Sequence, residues 1–248
     1  MQNPKQEAEL IVNALFEDYG TGGLTRGECP GVDGKDAIQE MKADDFPGWQ
    51  EVEWAGYHIK YLVQKTCEEK LPGKILPYDQ GKRHLVKGNY VWDPRFSSHD
   101  KTDVILGDVD EYGEIIKKNG GIGVLVVDAA ATPDTHENFR RWQEEQKGKL
   151  SEYSIRREIE GRPARERKSA YMIRKIFAYF FTLDNLQKGV IDGWADDTFQ
   201  QSMRNADGSS RNSKYRLKIN LVPSEYLLLI KNFNEDPDEF ESDFPNGN

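Results

Sequence analysis

Residues 121–128, Gly-Ile-Gly-Val-Leu-Val-Val-Asp, form an uninterrupted apolar run that ends in a carboxylate. A run of this length without polar alternation is typical of a strand buried on both faces. Residues 102–107, Thr-Asp-Val-Ile-Leu-Gly, have a similar apolar and β-branched core, and the polar residues 108–120 lie between the two runs. We therefore predict two neighbouring strands that form a hairpin with a long turn.

The rest of the chain alternates between helical and strand-like patterns. Apolar residues recur at helical spacing in residues 5–18 and 56–71, which predicts two helices. Residues 169–183 form the most apolar helix candidate, although their aromatic and β-branched content leaves a strand open. Residues 213–222 alternate and predict a half-buried strand, whereas residues 92–96, Trp-Asp-Pro-Arg-Phe, are interpreted as an aromatic core and turn segment. Without an internal repeat or linker, the chain is interpreted as one α/β domain.

The composition excludes several classes of protein. With 37% hydrophobic and 31% charged residues, the 248-residue chain is not disordered as a whole. It has no apolar run of the roughly 18 residues that a membrane-spanning helix needs, and no secretory signal pattern at its start. We therefore expect a cytoplasmic protein with no membrane partner. Cys29 and Cys67 are isolated in sequence, which supports neither a disulfide framework nor a structural zinc site.

Charge is distributed unevenly along the chain. The net charge of −9 argues against a protein that coats polyanions in general. Residues 234–243 carry six acids and no base, which predicts a solvated, weakly ordered tail. By contrast, residues 140–175 carry twelve Lys and Arg against six Glu, and residues 204–218 carry five bases against one Asp. The second half of the chain therefore contains two basic stretches.

Two carboxylates belong to the predicted hairpin. Asp103 lies in the first strand and Asp128 ends the second, so hairpin pairing would bring them together. A carboxylate at the end of an apolar run is costly to bury unless it is paired or holds a cation. Two such groups would form an oxygen-rich site suited to Mg²⁺. The alternative is that Asp128 caps the following segment and that Asp103 is a surface residue.

These two strands resemble the core of the PD-(D/E)xK nuclease superfamily, particularly type II restriction endonucleases. The similarity covers residues 57–132 and includes a helix before the first strand. It implies a restriction-endonuclease-like core, with a central mixed sheet flanked by helices. It also implies that Asp103 and Asp128 bind the metal ion, that the carbonyl of Ala129 is a third oxygen ligand, and that the partner is double-stranded DNA bound by a homodimer.

Two positions depart from the family pattern. Threonine replaces the proline before Asp103, and Ala130 occupies the position of the family's lysine. Alanine has no polar group to orient water or offset charge on a phosphate, so catalysis by the family mechanism should be much reduced. We consider two explanations, namely that a lysine was replaced at Ala130 or that the site decayed naturally.

A nuclease of this class must also contact DNA. Residues 209–218 combine short hydroxyl and amide side chains with four bases, which suits phosphate anchoring and contacts with base edges. Arg211 could bind a guanine edge and Asn212 an adenine edge. The alternative is a solvated basic hairpin. The predicted DNA-binding residues are Ser209, Ser210, Arg211, Asn212, Lys214, Arg216 and Lys218.

Together these features predict a Mg²⁺-dependent, site-specific endodeoxyribonuclease that hydrolyses phosphodiester bonds and is inactivated at Ala130. We divide the single domain into an N-terminal helix and irregular arm, a catalytic core, a DNA-contacting part and an acidic tail, at residues 1–55, 56–183, 184–233 and 234–248. The alternatives are a catalytically silent DNA-binding or partner-binding protein on the same scaffold, and an α/β domain for an unrelated small ligand.

Overall fold

A computed structural model describes residues 3–19, 31–78, 84–98, 101–148, 152–162, 166–205 and 208–233. Its α-helices are α1 (Pro4–Tyr19), α2 (Gly34–Ala43), α3 (Trp54–Lys70), α4 (Val109–Asn119), α5 (Asn138–Lys147), α6 (Glu152–Ile159) and α7 (Leu183–Asp192). Its strands are β1 (Gly31–Asp33), β2 (Leu76–Tyr78), β3 (Leu85–Lys87), β4 (Val91–Ser98), β5 (Asp103–Asp108), β6 (Ile122–Pro133), β7 (Lys168–Phe181), β8 (Ala195–Phe199), β9 (Lys214–Lys218) and β10 (Leu227–Asn232). Short 3₁₀ helices cover Pro47–Gln50, Ile219–Leu221 and Ser224–Tyr226.

The strands form two sheets. The main sheet is seven-stranded, in the order β1-β7-β6-β4-β3-β2, with β10 also paired to β7. Within it, β4 and β6 are parallel and the other pairs are antiparallel. The small sheet is three-stranded and antiparallel, in the order β5-β9-β8. The chain is therefore an α/β protein with a mixed, curled central sheet and flanking helices.

Strand β6 lies inside the main sheet and is buried on both faces, as its apolar run predicts. Leu125, Val127 and Ala129 pack with α1, α2 and α3, on what we call the helix face. Val124 and Val126 pack on the opposite face with β5, β9, α4 and α7, and we call this the small-sheet face. Because a strand turns alternate side chains to opposite faces, the run separates two cores.

The predicted hairpin is wrong. Strand β5 pairs with β9 in the small sheet, whereas β6 pairs with β4 and β7 in the main sheet. Residues 109–119 are not a long turn but helix α4. Its buried side chains, Tyr112, Ile115 and Ile116, follow helical spacing, and Gly120 ends the helix in the left-handed conformation at φ 74°. A helix of this length separates the two strands and allows each to join a different sheet.

Residues 168–181 form strand β7 rather than the predicted helix. Its side chains alternate between the two cores. The helix face receives Tyr171, Ile173, Ile176 and Ala178, and the small-sheet face receives Phe177, Tyr179 and Phe181. Their β-branched and aromatic side chains suit a strand with partners on both edges, and this pairing overrides helical periodicity.

Other predicted elements have clear outcomes. The helices over residues 5–18 and 56–71 are confirmed as α1 and α3, and the strand over 213–222 is confirmed in shorter form as β9. Within the predicted irregular arm, residues 31–50 form β1, α2 and a 3₁₀ turn.

Cys67 is buried, and burial raises the pKa of its thiol to about 12. The acidic tail and Cys29 lie outside the described residues. Among the described residues, no helix is both long and apolar enough to cross a membrane.

The close packing of β6 against β4 predicts the effect of a single methyl group. A β-carbon at Gly123 would overlap the indole ring of Trp92, which is fully buried. We expect Gly123→Ala to lower the free energy of unfolding by about 2 kcal/mol because the core cannot accommodate the added volume. Urea unfolding followed by circular dichroism measures this change.

Gly113 in α4 provides the matched control, because a β-carbon there has no atom within 4 Å outside its own helix. Gly113→Ala should raise the free energy of unfolding by roughly 0.5 kcal/mol, since alanine favours helix. An equal loss of stability in both variants would contradict the packing of Trp92 against β6.

Candidate active site

A row of polar side chains crosses four strands of the main sheet. Ser97 on β4 pairs with Asp128 on β6, Asp128 pairs with Lys175 on β7, and Lys175 pairs with Asn232 on β10. Alternation from Val124 and Val126 places Asp128 on the small-sheet face. Ser97 is 4% and Asp128 8% exposed. The prediction that Asp128 ends its strand is wrong, because β6 continues through three alanines to Pro133. Asp128 is instead a buried carboxylate within the strand, with a hydroxyl on one neighbouring strand and an ammonium on the other.

The sheet is irregular next to Asp128. Asp128 pairs with Lys175 but Ala129 pairs with Ile173, so Arg174 is an extra residue in β7. A bulge of this kind bends its strand and redirects side chains, and bulges are frequent beside active sites. The side chain of Ala129 is fully buried on the helix face, whereas Ala130 lies on the same face as Asp128 and is partly exposed.

Asp103 approaches this end of β6 through β4 rather than through a hairpin. The hydroxyl of Ser97 donates to the carbonyl of Lys101 at 3.4 Å, and the backbone N–H of Lys101 donates to Ser98 at 2.8 Å. Strand β5 begins two residues later at Asp103. Since Ser97 pairs with Asp128, the start of β5 lies near the end of the buried part of β6.

The carboxylate of Asp103 forms an ion pair with Arg216 within the small sheet. It lies 3.5 Å from a guanidinium nitrogen of Arg216 on β9, and its side chain is 41% exposed. Because Val104 turns into the core, alternation turns Asp103 outward. The structure therefore pairs Asp103 with Arg216, and a cation shared between Asp103 and Asp128 stays a prediction.

Within the described residues, no group of three or more His, Cys, Asp or Glu side chains could hold a metal ion. The polar row nevertheless offers oxygen donors, because the Ser97 hydroxyl and the Asp128 carboxylate lie on adjacent strands in register. Mg²⁺ binds through one or two carboxylates and keeps several waters for substrate phosphates. The chemistry of these donors therefore fits magnesium better than a metal that needs sulfur or several imidazoles.

A buried ionic network continues the polar surface along β4. Asp93 is fully buried, and Arg95 donates to it through Nε at 2.8 Å and Nη2 at 2.6 Å. Lys60 on α3 lies 3.8 Å from the other carboxylate oxygen, and the hydroxyl of Tyr112 on α4 donates to Asp93. Burial by itself raises the pKa of Asp93. The charges of Arg95 and Lys60, with the hydrogen bonds from Tyr112 and Arg95, together outweigh this effect, so the pKa lies below its ordinary value.

The network and the polar row share one face. Every second residue of β4 lies on the small-sheet face, namely Asp93, Arg95 and Ser97. These residues pair with Val124, Val126 and Asp128 of β6, in that order. The aromatic core predicted for residues 92–96 is confirmed, because Trp92 is fully buried and Phe96 packs against the same core. The predicted turn is wrong, because residues 91–98 form a continuous strand. The signal that could have identified the network is the pair of opposite charges two residues apart, which a strand places on one face.

These charged groups favour an anion. The bases Lys60, Arg95 and Lys175 outnumber the acids Asp93 and Asp128, so the five formal charges sum to +1. The side chains of Lys60 and Arg95 are 12% and 19% exposed, so both remain partly accessible while they contact Asp93. A partly buried surface with an excess of positive charge attracts anionic groups such as phosphodiesters.

The predicted DNA-binding residues lie in and before β9. Ser209, Ser210, Arg211 and Asn212 are exposed, while the apolar side chains of β9 turn into the core and leave Lys214, Arg216 and Lys218 on the outer face. An open depression of about 340 Å³ is lined almost entirely by polar side chains, namely those of Asp108, Gln200, Asn205, Ser210, Arg211, Asn212 and Lys214.

Acidic residues from neighbouring strands reduce the positive charge of this surface. Asp108 accepts a hydrogen bond from Asn212 at 3.2 Å and lies 3.7 Å from the ammonium of Lys214. Asp196 on β8 accepts a hydrogen bond from Arg216 at 2.8 Å. The local excess of bases in the sequence is therefore partly neutralised by acids that are distant in the chain.

Comparison with known proteins identified no relative of this chain. No protein-family model, curated protein or solved structure matched this chain. The resemblance to PD-(D/E)xK nucleases consequently depends on the pattern within residues 57–132 alone.

The buried network predicts a large effect of charge removal. Asp93→Asn keeps the shape of the side chain but leaves the positive charges of Arg95 and Lys60 without their buried partner. We expect it to lower the free energy of unfolding by about 3–5 kcal/mol at pH 7, measured by urea unfolding. Because the pKa of Asp93 is lowered by folding, this stabilisation is present above the ordinary Asp pKa of 3.8 and is lost as the pH falls through the folded value.

Asp192→Asn is the matched control, because Asp192 pairs with Lys188 on the exposed surface of α7. Solvent screens that pair, so its removal should leave the free energy of unfolding nearly unchanged. Similar losses in the two variants would show that the Asp93 network does not contribute through burial.

Proposed function

We propose that this chain is a magnesium-dependent endodeoxyribonuclease of the type II restriction class, which hydrolyses phosphodiester bonds of double-stranded DNA. The observation that supports it best is the position of Asp128, a carboxylate that is 8% exposed at the end of the buried part of the central strand. It lies between a hydroxyl and an ammonium in register, beside the charged network of Asp93, Arg95 and Lys60. This combination suits a cation together with a phosphate.

In this proposal Asp128 holds the metal ion with the adjacent Ser97 hydroxyl. Following the family pattern, Asp103 and the carbonyl of Ala129 complete the oxygen ligands, which requires the Asp103 carboxylate to leave Arg216. Magnesium, when bound, polarises the phosphate and lowers the pKa of a bound water. Arg95, whose guanidinium donates two hydrogen bonds to Asp93 and whose side chain is 19% exposed, attracts the phosphodiester through its positive charge.

Ala130 decides how much activity is expected through the family mechanism. Its methyl group lies on the same face as Asp128 but cannot donate a hydrogen bond or carry a charge. A lysine at this position would extend its ammonium into the polar surface beside Asp128. The competing proposal, a catalytically silent DNA-binding protein on this scaffold, is favoured by the same alanine.

The depression before β9 supports contact with DNA. Its amide, hydroxyl and basic side chains are the types that bind base edges and phosphates. It lies at the end of the small sheet where Asp108 pairs with Lys214, and the basic outer face of β9 leads from it to Lys218, which pairs with Asp103 at the start of β5. We propose that DNA bound here places a phosphodiester at Asp128, and that two copies of the chain act on the two strands.

Restoring the lysine tests the nuclease proposal directly. We expect Ala130→Lys to cleave a plasmid of many sequence contexts into discrete fragments in Mg²⁺, at least about a hundredfold faster than the chain as written, because the ammonium offsets charge on the phosphate. Gel electrophoresis of timed samples measures the rates, and circular dichroism confirms that both proteins are folded.

Asp128→Asn in the Ala130→Lys background is the control, because it removes the metal carboxylate and keeps the size of the side chain. Cleavage should then disappear. No cleavage by Ala130→Lys, with the protein folded, would count against Asp128 as a nuclease centre. Cleavage that survives Asp128→Asn would locate the chemistry elsewhere.

DNA binding can be measured without cleavage when Ca²⁺ replaces Mg²⁺. We expect Arg211→Ala to weaken binding to a duplex that contains the cleavage site by about tenfold in fluorescence anisotropy. Lys5→Ala removes the same charge from α1 on the helix face and should change the affinity less than twofold. Equal effects of the two variants would indicate nonspecific electrostatic binding and contradict a contact at the depression.

A further inference from the structure

Strand β7 places a second candidate ammonium beside Asp128. The register pairs Asp128 directly with Lys175, and directly opposed residues of antiparallel strands project to the same face. Their β-carbons are then about 5 Å apart. This juxtaposition was not predicted from the sequence, because Lys175 belonged to a segment interpreted as a helix.

The contacts of Lys175 confirm the face on which it lies. Its ammonium is 5.7 Å from the ring centroid of Phe177, and Phe177 packs against the core of the small-sheet face. Phe177 pairs with Val126, which in turn pairs with Arg95. The flexible stem of Lys175 thus runs over the surface that carries Asp128 and Arg95, and its side chain is only partly buried.

Positions 130 and 175 are two different neighbours of the same carboxylate. A side chain at 130 flanks Asp128 along β6, whereas a side chain at 175 flanks it across the β6–β7 pair. The extra residue Arg174 lies directly before Lys175, and Lys175 itself keeps its place opposite Asp128. Either position can therefore deliver an ammonium to a phosphate held at Asp128.

Resting on the proposed nuclease function, we propose that Lys175 is a catalytic residue that takes the place of the lysine absent from position 130. In hydrolysis the oxygen of a water molecule bonds to phosphorus and one phosphorus–oxygen ester bond breaks. One water proton ends on the departing sugar oxygen, and the other is released to solvent as the phosphate monoester ionises. The Lys175 ammonium donates to a non-bridging oxygen and stabilises the negative charge that develops there.

The test compares five full-length proteins, namely the chain as written, Lys175→Met, Lys175→Arg, Ala130→Lys and the double variant Ala130→Lys/Lys175→Met. We expect the chain as written to nick supercoiled plasmid in Mg²⁺, Lys175→Met to lower that rate about a hundredfold, and Lys175→Arg to retain part of it. In the Ala130→Lys background, Lys175→Met should cost less than about tenfold, since two groups that serve the same purpose are not additive.

A second readout does not depend on cleavage. In Ca²⁺, Lys175→Met should weaken binding of a short duplex several-fold, because it removes a contact with the phosphodiester. Lys231→Met is the matched control, since Lys231 also contacts an aromatic ring, that of Phe16, but lies on the helix face. Its cleavage rate and DNA affinity should equal those of the chain as written.

The outcomes separate the two proposals. If Ala130→Lys cleaves, the chain as written does not, and Lys175→Met changes neither the rate in that background nor the affinity in Ca²⁺, the role of Lys175 is wrong and the nuclease function stands. If no variant cleaves while all are folded, the nuclease function fails and the role of Lys175 fails with it.

Discussion

The burial of strand β6 on both faces is the constraint on which the other layers depend. Its apolar residues must be covered by helices on one side and by the small sheet with α4 and α7 on the other. A strand in this position cannot end abruptly inside the protein, because its last side chains must meet either solvent or polar partners. Asp128 is the residue at which this change occurs, and the polar row follows from it.

Buried charge on the same face has a cost that the structure offsets locally. Asp93 would be strongly destabilising if it were isolated, yet Arg95 and Tyr112 donate to one of its oxygens and the ammonium of Lys60 lies 3.8 Å from the other. Because such networks seldom stabilise more than an apolar core would, their presence beside Asp128 is consistent with a functional requirement for charge. The network also holds the guanidinium of Arg95 in a defined orientation.

The sequence was sufficient for those features that depend on local pattern. The run of residues 121–128 predicted a doubly buried strand, although β6 continues past Asp128 to Pro133, and helical spacing predicted α1 and α3. Strand pairing was not predictable, because residues 102–107 identify a strand without identifying its partner, and α4 between the two runs was mistaken for a turn. The acids that neutralise Lys214 and Arg216 come from other strands, so the local charge count overestimated how basic that surface is.

Because strand pairing cannot be predicted from local sequence, a sequence motif on one strand identifies only part of a site that several strands form. A motif records which residues follow Asp128 on β6, whereas the surface around its carboxylate is formed equally by the strands on either side. Ser97 and Lys175 are directly paired with Asp128, although both are far from it in sequence. Because Ala130 has no polar group, the polar side chains beside Asp128 on this face come from the adjacent strands, namely Ser97 on β4 and Lys175 on β7.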